Sequence, residues 1–287
     1  MNPREAGFLL LSSRLGDPRR RPLTVQQLGQ LGRCVACGQR PAPDRELRAE
    51  DLLELGCSGE LAERVLSLLS DGKLLNDYVN QGRKDGCYPL TRISPYYPEA
   101  LRVRLEENAP PCLWVKGDTR LLGQPAVALV GSRDLRQQNE LFARQVGYLA
   151  ARNGYVLISG NARGADRAAQ ESCLAAGGRV ISVVADSLRR QPLRKNMLYI
   201  SEEGFDLPFT SNRALSRNRL IHCMGQKVFV SQCGDGFGGT WSGTRQNLRG
   251  RWTPVFCFSD GSSGALQLQI RGAALVDIDE LQEVFDG

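Results

Sequence analysis

The chain has 287 residues, 41% of them hydrophobic and 24% charged, a balance that suits one large globular core, or one core with a small helical module beside it. Its formal charge of +6 is carried mostly by arginine, which is compatible with phosphate recognition but does not by itself require it. The apolar run Phe8 to Leu11 is far shorter than the ~20 residues of a membrane span, and a charged stretch follows it where a signal peptide would have small residues.

Nine cysteines, an odd number scattered from Cys34 to Cys257, point to a reducing compartment, and a cytoplasmic protein is expected. Cys34 and Cys37 form a lone CxxC pair. The sole histidine, His222, lies far from it in sequence, and although Cys57 and Cys87 would bring the ligand count to four, buried apolar cysteines are the simpler reading and no metal is expected.

From Glu5 to about Asn80 apolar residues recur at spacings of three and four, as in Leu61, Val65, Leu66, Leu68 and Leu69, so residues 1–84 are expected to form a helical domain. Within it, LLELGCSGELAERVLSLL sets a glycine turn between two amphipathic helices, as in a helix-hairpin-helix or SAM-like module, and Arg40 to Arg45 reads as a loop. Residues 85–118 carry five prolines and no long periodic run; they read as a connector with one short strand at Leu113 to Lys116. Apolar runs then alternate with amphipathic helices. Strands are expected at Ala126 to Val130, Tyr155 to Ser159, Arg179 to Val184, Leu198 to Ser201, Lys227 to Ser231 and Pro254 to Phe258, with helices at Gln137 to Arg152, Ala165 to Ala176 and Thr210 to Met224. This predicts an α/β Rossmann-like fold over 85–287, a doubly wound and mainly parallel sheet covered on both faces.

In such a sheet ligands bind beyond the carboxyl ends of the strands, near the switch point. The first strand runs into Gly131, Ser132 and Arg133, which offer close backbone approach, a hydroxyl and a two-pronged phosphate donor. The second runs into Ser159, Gly160, Asn161, Ala162, Arg163 and Gly164, a turn whose amides can converge on an anion, with Asp166 just inside the next helix. A third glycine-rich loop follows the strand at 227–231 and contains Gly238, Gly239 and Thr240. The helix from Thr210 carries Arg217, Asn218 and Arg219. The two arginines are too close in sequence to share a face, and Arg217 is the one expected to reach the site. Trp241 and Phe237 are the candidate stacking platforms for a base.

Taken together, YYPEAL (Tyr96 to Leu101), PPCLWVKGD (Pro110 to Asp118), VALVGSR (Val127 to Arg133), SGNARGAD, LYISE (Leu198 to Glu202), RNRLI (Arg217 to Ile221), GGTWSGT and RGAALV (Arg271 to Val276) resemble the DNA-processing protein A (DprA, or Smf) family. The resemblance runs from about Tyr88 to Val276, to a branch with SGxARGxD and GGTWxG. It implies a non-catalytic single-stranded DNA-binding protein with no cofactor, dimeric through the Rossmann domain, that protects or processes DNA and hands it to a RecA-type recombinase in transformation or recombination. The chain departs from the better-known branch in having Gln170 where that branch has a histidine and in its GGTWSGT loop, and no winged-helix domain is expected after Leu281.

Two rival readings are compatible with the same loops. A nucleotide sensor or hydrolase related to the LOG proteins, for instance in phage defence, would need an acid or base in reach. Arg245, Gln246 and Asn247 follow the glycine-threonine loop where those proteins have a carboxylate, which leaves Asp166 and Glu202 as candidates. A protein-interaction scaffold that has lost its ligand would have little need of three glycine-rich loops on one sheet edge.

Overall fold

The computed structural model describes residues 1–37 and 45–287, so the loop expected at 40–45 lies, apart from Arg45, outside the described residues. Five helices come first: α1 (Pro3–Ser12), α2 (Val25–Cys37), α3 (Ala49–Glu54), α4 (Gly59–Leu69) and α5 (Gly72–Lys84). Their starts are locally encoded. Asn2 and Glu5 form a reciprocal capping box around Pro3 on α1, and the Ser58 hydroxyl accepts from Leu61 N at the start of α4. Leu31, Leu52, Leu61, Val65 and Leu68 share a small apolar core, whereas Leu9, Leu10, Leu75, Tyr78 and Val79 face the sheet. Buried Arg20 ties the two groups together, donating to Leu10 O at 2.7 Å, Leu68 O at 3.1 Å and Asp71 Oδ2 at 2.9 Å.

The segment expected as an irregular connector is more ordered than its prolines suggest. It holds β1 (Tyr88–Thr91), α6 (Glu99–Leu105) and β2 (Cys112–Gly117), joined in an antiparallel pair, Leu90 opposite Leu113. Pro89 is tolerated because β1 is an outermost strand that pairs on one side only. Helix α6 is two turns long, too short to show a period, and is held by its buried Leu101 and Leu105.

The remainder is β3 (Ala126–Val130), α7 (Gln137–Arg152), β4 (Val156–Ser159), α8 (Ala165–Ala175), β5 (Arg179–Val184), β6 (Met197–Glu202), α9 (Ser211–Met224), β7 (Val228–Val230), α10 (Gly239–Gly250), β8 (Val255–Phe258), α11 (Ser263–Ile270), β9 (Ala274–Val276) and α12 (Leu281–Asp286). The strands form one sheet in the order β1-β2-β6-β5-β4-β3-β7-β8-β9. From β6 to β9 every neighbour is parallel, as the uninterrupted apolar runs predict, and β2 joins β6 antiparallel. Phe142 of α7, Ala169 of α8 and Phe285 of α12 cover one face, while Leu220 of α9, Trp241 of α10 and Leu268 of α11 cover the other. The winding direction reverses between β3 and β7, so the loops after β3, β4 and β7 leave the same edge of the sheet around that switch point.

Candidate nucleic-acid interface

At the switch point a cavity of about 450 Å³ opens between the loop after β3, the loop after β7 and the flank of α9. Gly131, Ser132, Arg133, Ala162, Asp166, Arg217, Asn218, Gly238, Gly239 and Thr240 line it, which brings together residues expected from all three loops and the basic helix. The walls are fixed to each other. Thr240 Oγ1 donates to Gly131 O at 2.9 Å, and Asn218 Nδ2 donates to Gly239 O at 3.1 Å. Helices α8 and α10 each begin directly after a glycine, Gly164 and Gly238, with no side-chain cap on their first amides. Ala165 N at the start of α8 already donates to Ser132 O at 3.1 Å, so the start of α10 is the more open of the two to an anion.

The deepest cation is Arg217, 8% exposed on α9. Its Nη1 donates to Val183 O at 3.0 Å, its Nη2 stands 3.8 Å from Asp166 Oδ2, and its Nε has no partner. Gly160 makes room for it, since a Cβ at that position would lie 1.8 Å from Nη1. Asp166 in turn accepts from Ala162 N at 3.2 Å and so shapes the turn after β4. Burial holds the Arg217 guanidinium below its usual range, although Asp166 opposes this, and burial pushes the Asp166 carboxyl up, with Arg217 opposing. Desolvation outweighs attraction for both partners, because 3.8 Å is beyond hydrogen-bond reach. Arg217 is therefore an under-compensated buried cation on the cavity wall, a state that a phosphate in the cavity would relieve.

Arg133 is exposed and lies 5.9 Å from the centroid of the Phe209 ring, a cation–π contact. This pair separates the first cavity from a second of about 480 Å³, lined by Asn161, Ala162, Arg163, Ala185 and Asp186; Arg133, Ala162, Phe209 and Arg217 face both. Asn161 donates to Gln191 Oε1 at 3.0 Å, and Arg163 pairs with Asp134 at 2.7 Å in solvent. The Ser132 hydroxyl accepts from Asp134 N at 3.2 Å. Gln170, the residue that departs from the better-known branch, sits beneath the turn: its Nε2 donates to Ser159 Oγ at 2.7 Å and to Gly160 O. Its amide thus supports the loop from below.

Three expected residues lie elsewhere. Arg219 points away from the cavity, donating to Asn108 O and to Glu202, and Glu202 also accepts from Ser216 at 3.0 Å, so this carboxylate is occupied structurally. Ser159 is fully buried below the turn. Trp241 is 6% exposed, packed in the core with Arg271 over its ring at 5.1 Å, and cannot serve as a stacking platform; Phe237, 72% exposed on the cavity rim, can. Phe209, Leu215 and Ile221 line the cavity without having been expected to. The one available signal for Phe209 was its place directly before the N-cap Thr210. His222 is wholly buried, its pKa pushed down to about 3 by burial, and it faces Asn247 at 3.2 Å away from the cavity lining. Cys57 packs in the helical core with Cys34, whereas Cys87 is buried against the sheet, and among the described residues no three His, Cys, Asp or Glu side chains converge for a metal.

A doubly wound, mainly parallel sheet with a switch-point crevice lined by glycine loops and arginines defines a Rossmann-type protein. More specifically, the chain belongs to the DNA recombination-mediator protein A family, whose family model matches residues 89–286. It is 36% identical over 158 residues to the DNA processing protein DprA of Streptococcus pneumoniae, covering 52% of each chain, so it spans about half the length of that relative. It is 26% identical over 285 residues to a putative DNA processing protein DprA of Mycobacterium tuberculosis, covering 92% of this chain and 70% of the relative. Among solved structures, DNA processing protein A from S. pneumoniae superposes with a TM-score of 0.67 at 26% identity, over 88% of this chain and 90% of that one. The Helicobacter pylori protein, described for its single-stranded DNA binding mode, does so with a TM-score of 0.58 at 26% identity, over 70% and 94%. No described helix is long and apolar enough to cross a membrane.

Proposed function

We propose that this protein binds single-stranded DNA without catalysis, holding backbone phosphates in the switch-point crevice against Arg217 and Arg133. The observation that carries the reading is the Arg217 guanidinium, under-compensated by Asp166 at 3.8 Å and lining both cavities beside the glycine loops. The described binding mode of the H. pylori relative supports the ligand class. A non-enzymatic role is supported by Asp166, the carboxylate that lines the first cavity, which is buried and committed to Ala162 N and Arg217. Dimerisation, transfer of the strand to a RecA-type recombinase and a cytoplasmic setting follow from the family resemblance and belong to the same proposal.

Gel-shift titration with an oligothymidylate and a mononucleotide competitor tests it. Affinity is expected to fall steeply with salt, and Arg133→Ala to weaken binding of all sequences alike and lower the salt slope by about 0.7, the value for one phosphate contact to a single strand. An unchanged affinity in Arg133→Ala, or tighter binding of the mononucleotide than of the oligonucleotide, would overturn the reading in favour of a nucleotide sensor.

Phe237 makes a separate prediction. Its exposed ring at the cavity mouth offers a stacking face, so Phe237→Ala is expected to weaken oligonucleotide binding by about 1–3 kcal/mol, while an abasic site at the bound position removes the difference between the two proteins. Equal affinities on intact DNA would exclude stacking there.

A further inference from the structure

The crevice continues beyond Arg133. A third cavity, of about 450 Å³, lies along the N-terminal halves of α7 and α8 and is lined by Arg133, Arg144, Arg163 and Arg167 together with Asp134, Glu140 and Glu171. Arg133 faces all three cavities, and Arg163 faces the second and third. Gly164 is part of the third cavity's lining at the point where the loop after β3 passes over it. Its φ is +84°, and a Cβ there would lie 2.4 Å from Ser132 O. The path from crevice to groove therefore crosses bare backbone flanked by arginines.

The carboxylates in this groove do not close it to an anion. Asp134 holds Arg163 at 2.7 Å and Glu140 holds Arg144 at 2.8 Å, but the four side chains are 44% to 85% exposed, and ion pairs in solvent exchange readily for a phosphate partner. Among the described residues, Arg167 has neither a hydrogen bond nor an ion pair, and it makes none with Glu171 one turn further along α8. Glu171 lies at the end remote from Gly164, so the cationic end of the groove is the one that adjoins the crevice.

We infer that this groove is a second phosphate subsite, taking the backbone of the nucleotides that adjoin the one in the crevice, with Arg167 and Arg144 as its contacts. The inference rests on the single-stranded DNA reading above. It assigns the strand a route, out of the crevice past Arg133, over Gly164 and along α7 and α8. Because the groove is built from exposed side chains, its arginines can be removed without disturbing the core.

The test is fluorescence anisotropy of the full chain with two probes, a 5′-phosphorylated thymidine dinucleotide and an oligothymidylate of about twelve residues, within the ~4–16-nucleotide site sizes usual for such proteins. Arg144→Ala combined with Arg167→Ala is expected to leave dinucleotide binding unchanged, to weaken the oligonucleotide about tenfold, and to lower its salt slope by about 1.4, for two phosphate contacts. The corresponding double lysine variant restores both. Unchanged oligonucleotide affinity and slope would overturn the groove while leaving the crevice reading intact, and so would equal losses on both probes. Failure of the unaltered protein to bind either probe would overturn the crevice reading and the groove with it.

Discussion

Arg217→Ala is expected to cost at least tenfold in oligonucleotide affinity and to make stability fall as pH rises. The affinity loss follows from removing a charge-assisted phosphate donor, about 1.5–3 kcal/mol, where ~1.4 kcal/mol is a factor of ten. The stability change follows from what is left behind. Asp166 would keep its place under the turn with the backbone amides of Ala162 and Gly160 and the more distant Arg133 to balance its charge. Breaking a buried pair costs about 3–5 kcal/mol, and the low end applies here because the pair is 3.8 Å apart. The carboxyl is already held above its ordinary range by burial, and loss of the opposing cation raises it further. A carboxyl whose folded pKa is raised binds its proton more tightly in the folded state. Stability is then highest below the unfolded value near ~4 and declines as pH climbs from there through the folded pKa. Denaturant titrations at about pH 4 and about pH 7.5 should show the deficit growing toward neutrality. Adding Asp166→Asn should remove the pH dependence but not restore DNA binding. A pH-independent deficit would sink this account of the pair.

Gly160→Ala is expected to damage binding more than stability. The new methyl would coincide with the guanidinium, 1.8 Å from Nη1, so Arg217 has to give up its bond to Val183 O and swing into the open cavity. The lost hydrogen bond amounts to about 1 kcal/mol of folding free energy, and, unlike Arg217→Ala, this variant keeps the cation in the cavity that Asp166 also lines, so the carboxylate is not left without a counter-charge. Binding suffers twice, through the misplaced donor and through the volume it fills. Since both substitutions act on one group, the pair should be non-additive: Gly160→Ala in the Arg217→Ala background should change affinity little further. Full additivity of the two losses, measured by anisotropy, would show that Gly160 acts on the ligand directly.

The sheet was legible wherever burial on both faces wrote an apolar run, unbroken at Ala126 to Val130 and interrupted only by Ser182 at Val180 to Val184, and α7 matches its expected span residue for residue. What escaped was short or edge-bound: β1 with its proline, two-turn α6, and three-residue β9. In the site, helical spacing alone separated Arg217 from Arg219. Trp241 and Phe237 could not be ranked from sequence, because one faces the core and the other the rim only once α10 is docked. Gln170 was equally opaque, since its partners include the backbone carbonyl of Gly160. Phe209 depends on the path of the chain after β6, where Glu203 takes a φ of +71° and Arg213 gathers the carbonyls of Ala185, Leu207 and Pro208.

That path sets Phe209 against Arg133, between two cavities that a bound strand would occupy together. The ring is an internal competitor for the arginine. A ligand that fills one cavity leaves the contact in place and gains nothing from its rupture, whereas a chain that threads both must break it and can exchange the ring for its own phosphate. Discrimination by length is then a threshold and not a sum.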